Sequence, residues 1–271
     1  MTTDEIPSRP APQLGDKFLK LLGVLDKLRA PDGCPWDREQ TPRSLIPYLL
    51  EETYEVIESI EAEDSPALKE ELGDLLLHVL FQGAMAEEAG TFTLEESIVA
   101  ITQKLVDRHP HVFGAARADG PWHAKQNWEA AKQRQKGRAS RLDGVPATLP
   151  ALTRAKRLQE KAAYVGFDWQ TVEPVWAKVR EELGELEDAR KSADPRAQEE
   201  ELGDVLFSLV NLGRFLKIDA EGALRGASAK FEYRFRRIER ELLAQGKKPE
   251  DASLDEMNAI WDRYRGEAAP R

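Results

Sequence analysis

Six carboxylates set the first question. Glu51, Glu52 and Glu55 are followed by Glu70, Glu71 and Asp74, and the same six recur 130 residues later as Glu181, Glu182, Glu185, Glu200, Glu201 and Asp204. Carboxylates are seldom buried without a partner. On a helix, Glu71 and Asp74 fall about 60° apart on one face, as do Glu52 and Glu55. The short link around Ala62–Pro66 makes the two segments pack antiparallel, so two facing pairs aim four carboxylates at one small volume. Like charges that close raise one another's pKa and weaken a fold. A divalent cation removes the conflict. Oxygen donors suit Mg²⁺, which keeps positions open for water and substrate phosphates, with Mn²⁺ as an acceptable substitute. Matching Cys and His ligands are absent, which argues against zinc.

The elements that must position these groups are helices. SLIPYLLEETYEVIESI carries an i, i+3, i+4 apolar pattern over about 45–62. Further helices are expected at about 16–29, 66–88, 94–108 (Thr93 as N-cap with Glu96 three residues on) and 122–136. The second copy gives about 150–164, 172–191, 195–216, 220–243 (Asp219 as N-cap) and 254–265. The apolar residues after Asp74 surround their helix, which reads as a buried element. Sustained strand alternation is missing throughout. The offset between the copies drops from 130 to 126 beyond the connection around 84–92, where a loop can absorb four residues. The reading is all-α: a tandem repeat of two four-helix-type units. The segments are a tail (1–13), a first repeat (14–136), a linker (137–149), a second repeat (150–265) and a tail (266–271).

Composition excludes several classes. With 41% hydrophobic and 32% charged residues over 271 positions, the chain affords a core and long amphipathic helices. Its longest apolar runs are too short to span a membrane. The polar, Pro-rich N-terminus lacks a signal-peptide core, and the one cysteine, Cys34, rules out an intrachain disulfide. A cytoplasmic location is the expectation. A net charge of −10 argues against extended nucleic-acid binding, despite the basic runs at 132–138 and 234–240. A small anionic substrate remains compatible if a metal ion supplies local positive charge.

EETYE (51–55) with ELGD (71–74), and EELGE (181–185) with ELGD (201–204), resemble the EExxE…ExxD signature of the MazG family of all-α nucleoside triphosphate pyrophosphohydrolases. CPWD (34–37), KLVDRHPHVF (104–113) and NWE (127–129) match the first repeat of its full-length members. GFDW (166–169), KFEYRF (230–235) and Trp261 match the second. The resemblance implies Mg²⁺-dependent hydrolysis of canonical or altered (d)NTPs to monophosphate and pyrophosphate, in nucleotide-pool housecleaning. It also implies a homodimer in which helices from two units complete each bundle. It places Glu52, Glu55, Glu71 and Asp74, and Glu182, Glu185, Glu201 and Asp204, at metal-ligand positions. Lys178, Lys230, Arg234 and Trp261 fall where the family contacts nucleotide.

For such a substrate, Lys230 and Arg234 stand i, i+4 on one helix and reach the same anion, mirrored by Lys104 and Arg108. They would stabilise charge on departing pyrophosphate. Water would attack the α-phosphorus, with Glu181 (or Glu51) and Glu200 (or Glu70) as candidates to take its proton. Trp261 or Trp128 would stack on the base. Each residue also has a plainer reading: a surface ion-pair face for the cations, and core for the tryptophans. His78 corresponds to Ser208 and reads as local packing; His109 and His111 read as loop contacts, and Cys34 as part of a buried turn. Lys178 corresponds to Tyr48, so the first copy lacks that cation and the second is favoured as the main site. The alternative function is a non-catalytic helical regulator with structural cation sites.

Overall fold

A computed structural model describes residues 11–136, 139–192 and 194–267. The expected tails and linker, and the basic run at 132–138, fall partly outside these residues. The described residues form helices and turns, with no strand among them, so the all-α reading holds. The chain divides into two compact units that meet between Gln135 and Lys136.

In the first unit the helices are α1 (Pro12–Arg29), α2 (Pro35–Glu39), α3 (Ile46–Glu61), α4 (Ser65–Glu88), α5 (Leu94–Arg108), α6 (Pro110–Phe113) and α7 (Pro121–Lys136). The centre is the α3–α4 hairpin, with α1 and α5 against α4. Local chemistry sets the boundaries. The Asp64 carboxylate accepts from the Ala67 N–H at 3.1 Å and caps α4. Thr93 and Glu96 form a reciprocal capping box on α5. Leu25, Leu45, Leu80, Phe81 and Met85 make the core. Gly33 closes the turn after α1, where a Cβ would meet the Leu28 carbonyl oxygen at 2.3 Å, so no larger residue fits without a shift.

The second unit contains α8 (Ala151–Ala163), α9 (Val172–Ser192), α10 (Pro195–Phe215), α11 (Ala220–Ala244) and α12 (Leu254–Arg263). Its α9–α10 hairpin corresponds to α3–α4, with α8 against α10 and α11, and α12 against α11. Asp194 caps α10 as Asp64 caps α4, and Asp219 caps α11 through the Gly222 N–H at 2.9 Å. Val175, Val179 and Leu212 form one core cluster, and Ile238, Leu242 and Ile260 another. Within the expected linker, the Arg141 carbonyl accepts from the buried Lys161 ammonium at 3.3 Å, which fastens that turn to α8.

Two expectations differ from the structure. The shift in offset falls mainly within a helix: α4 has 24 residues against 21 in α10. The extra turn carries Glu88, which accepts two 2.6 Å bonds from Arg29 and so locks α1 onto α4. Second, α4 is not buried all round. Leu72, Leu76 and Val79 are exposed, Val79 by 51%. Within one chain the hairpin lacks the neighbours that would cover this side, and Leu202, Leu206 and Leu209 of α10 repeat the exposure.

Candidate active site

Each hairpin gathers its carboxylates. Oxygens of Glu52, Glu55 and Glu71 lie within 4.8 Å of one another in the first unit, and those of Glu182, Glu201 and Asp204 do so in the second. The fourth member of each set stands close by. The charge of Asp74 acts on Glu52, and Glu185 shares a hydrogen bond with Glu182. Geometry explains the convergence: i, i+3 spacing puts each pair on one helix face, and the hairpin turns the two faces together.

Crowded like charges shape the electrostatics of both clusters. Burial, then the charges of Asp74, Glu55 and Glu71, push Glu52 up. Burial and the charges of Glu55, Glu70 and Asp74 raise Glu71. Glu185 is raised first by its hydrogen bond with Glu182, then by burial and the Glu182 charge. Glu182 is only 6% exposed. A hard divalent cation is the partner that such an oxygen set fits.

The second cluster already holds a cation of its own. Lys178 Nζ lies 2.6 Å from Glu182 Oε1 and 2.9 Å from Glu181 Oε1, and these carboxylates raise the lysine pKa, the Glu181 hydrogen bond first. The basic residue thus lies at the edge of the acid cluster, its side chain still 37% exposed. Glu200, Glu51 and Glu70 are exposed on the same hairpins.

The remaining expected residues form a separate group in each unit. Arg234 lies over the Trp261 ring at 5.3 Å, and its Nη2 donates to the Arg265 carbonyl at 2.5 Å. Trp261 also packs on Phe231, with ring centroids 5.5 Å apart, and borders the Ile238–Leu242–Ile260 core. In the first unit Arg108, which is buried, lies over Trp128 at 5.1 Å, joined by Lys132 at 4.8 Å. The Arg–Trp pairing therefore recurs as the carboxylates do. Lys104 is half-buried on α5, one turn before Arg108, and Lys230 is exposed on α11, one turn before Arg234. α11 packs on α8, α10 and α12, and the contacts of Arg234 among the described residues run to Trp261 and Arg265.

His78, read from the sequence as local packing, borders the first cluster. It is buried, with Nε2 3.9 Å from Glu52 Oε1, and its ring lies parallel to Tyr48. Burial lowers its pKa, opposed by the charge of Asp74. The repeat-two counterparts of Tyr48 and His78 are Lys178 and Ser208.

Fold and site together define an all-α protein with a duplicated carboxylate centre on helical hairpins. The MazG nucleotide pyrophosphohydrolase domain matches residues 40–113 and 170–238, the two segments that carry the clusters. The chain is 45% identical to the nucleoside triphosphate pyrophosphohydrolase/pyrophosphatase MazG of Thermotoga maritima, over 94% of this chain and 98% of that one. It is likewise 45% identical to a nucleoside triphosphate pyrophosphohydrolase of Escherichia coli K12, over 91% and 96% of the two chains. A Mycobacterium tuberculosis protein of the same name shares 38% identity over 59% of this chain and 49% of its own. This chain belongs to the MazG nucleotide pyrophosphohydrolase family.

Proposed function

We propose that the protein hydrolyses nucleoside and deoxynucleoside triphosphates to monophosphate and pyrophosphate with Mg²⁺, as part of nucleotide-pool housecleaning in the cytoplasm. The observation that carries this reading is the gathering of carboxylates, twice, on hairpins of one design, in a chain similar over nearly its whole length to nucleoside triphosphate pyrophosphohydrolases. Glu182, Glu185, Glu201 and Asp204 would hold the ion in the second repeat, and Glu52, Glu55, Glu71 and Asp74 in the first. The ion supplies the positive charge that lets a triphosphate approach an acidic pocket, and polarises its phosphoryl oxygens.

The chain's own groups account for the rest. With an ion on Glu182, the Lys178 ammonium would keep Glu181 alone as its carboxylate and could turn to a phosphate oxygen. Glu181 or Glu200, both off the ligand set, accepts the proton of a water that attacks the α-phosphorus. The bond from that phosphorus to the bridging oxygen breaks, and pyrophosphate leaves with its charge met by Lys230 and Arg234. Lys104, Arg108 and Trp128 are the first-repeat counterparts, and Trp261 is the surface for the base. The exposed apolar sides of α4 and α10 support a homodimer in which helices of a second copy complete each bundle.

The test is a product assay with Mg²⁺ across common and altered (d)NTPs. Pyrophosphate and monophosphate are expected from the parent chain. Glu182→Ala with Glu185→Ala is expected to lose at least about a hundredfold in rate, as removal of a transition-state electrostatic group does. Release of orthophosphate alone refutes the reaction, and full activity in that double variant refutes its assignment to the second repeat.

A further inference from the structure

Arg234 and Trp261 sit in a set of contacts whose other members play no part in the hydrolysis described above. On α11, Arg234, Arg237, Ile238, Glu241 and Leu242 follow i, i+3, i+4, i+7, i+8 spacing and share one face. On α12, Met257, Ile260, Trp261 and Tyr264 do the same. The apolar members form the core between the two helices. The polar members fasten the last turn of α12. The Tyr264 hydroxyl donates to Glu241 Oε1 at 2.5 Å, and Arg263 donates to the other oxygen of that carboxylate. Arg237 lies over the Tyr264 ring at 5.3 Å and over the Tyr233 ring at 5.1 Å. Glu241 thus anchors two successive residues just beyond Trp261.

The same turn aims Arg234. The Arg265 carbonyl accepts from Arg234 Nη2 at 2.5 Å, and the guanidinium faces the Trp261 ring at 5.3 Å. Arg265 directly follows Tyr264, so fixing the tyrosine fixes the carbonyl that orients the arginine. Freeing that turn would let both groups swing, and a misplacement of about 1 Å can cost about a hundredfold in rate. The counterparts in repeat one differ. Ala131 stands three residues after Trp128, as Tyr264 does after Trp261, and at the 126 offset Glu241 corresponds to Ala115. α5 ends at Arg108, ahead of Pro110, whereas α11 runs on past Arg234 to Ala244 and carries Glu241 on that extension.

We propose that Glu241 and Tyr264 are positioning residues of repeat two: they bolt the end of α12 to α11 and so hold Arg234 and Trp261 in one pose before nucleotide arrives. The proposal rests on the reading in which Arg234 and Trp261 meet the substrate, and extends it by naming the residues that hold them ready.

The experiment uses the full chain carrying Glu52→Gln and Glu55→Gln, so that turnover of its fastest common (d)NTP with Mg²⁺ reports on repeat two. All six tryptophans are labelled as 5-fluorotryptophan, and the Trp261 fluorine resonance is the line lost in Trp261→Phe. Glu241→Ala is expected to lower kcat/KM at least about tenfold and to move the Trp261 line toward the position of free fluorotryptophan. Glu241→Gln, whose amide oxygen still accepts from Tyr264, should restore most of both. Tyr264→Phe deletes one oxygen and keeps the ring against Arg237. It should act in the same direction as Glu241→Ala, with helix content unchanged by circular dichroism, and it decides the matter if Glu241→Ala fails to fold. A Trp261 line that stays in place in Tyr264→Phe, or a moved line with kcat/KM unchanged, overturns the proposal and leaves the hydrolysis reading intact. No turnover in the background chain, before any change at Glu241 or Tyr264, overturns the reading beneath it as well.

Discussion

At the scale of single residues, the acid clusters carry a pH signature. Glu52, Glu71 and Glu185 have pKa values raised in the fold. A raised carboxylate favours the folded state below the unfolded value of about 4.3, and that contribution is lost as pH rises through the folded value. In chelator, these three groups should therefore pull the melting temperature down as pH climbs from about 4.3 through their raised values, a fall set against the gain from Glu88, Glu173, Asp219 and Glu241, whose values are lowered. Saturating Mg²⁺ should reverse the fall, and Glu71→Gln should flatten it. Thermal melts in buffers spanning this window check the point; an unchanged slope in Glu71→Gln would show that its charge is not felt. The carboxylates were legible in the sequence because helical spacing alone puts them on one face. The partners of His78 were not, because the Tyr48 ring and the Glu52 oxygen beside it lie across the hairpin.

At the scale of elements, helix termini were readable from their chemistry. Thr93 with Glu96, and Asp219, cap the helices that their types predict. The short helices at Pro35–Glu39 and Pro110–Phe113 were missed, since a single turn has no apolar period to detect. Glu88 shows a second limit. Its bond to Arg29 spans 59 residues, and no local pattern announces a helix extended to reach a distant partner. The α11–α12 pair depends on packing more than on caps. Leu242 is fully enclosed there, with Ile238 and Ile260 around it. Leu242→Ala should cost about 2–5 kcal/mol, as buried leucine truncations do. Urea unfolding measures it, and a loss under about 1 kcal/mol would mean that the neighbours collapse into the gap.

At the scale of the whole molecule, the exposed apolar faces set the expectation. Ile98, Val99, Ile101 and Leu105 on α5 add to those on α4, and Phe231 and Phe235 on α11 to those on α10. Surfaces of this kind mark association in soluble proteins. Sedimentation should give twice the 30.5 kDa of one chain, and Val79→Asp should shift it toward the single chain. A monomeric parent would count against helices shared between copies. The sequence displayed the duplication plainly, through its repeat offset, but not which apolar residues stay uncovered in one chain. That depends on how many helices each hairpin finds, and a 3.6-residue period does not report it.

The ammonium wedged between Glu181 and Glu182 offers a gauge of occupancy in repeat two. An amine holding its proton this firmly is a sluggish nucleophile toward acylating reagents. When an ion takes over Glu182, the amine loses one of the two carboxylates that fix its proton, and its acylation should quicken. Mass-spectrometric footprinting of Lys178 with and without Mg²⁺ would then read out filling of that pocket before any nucleotide is added.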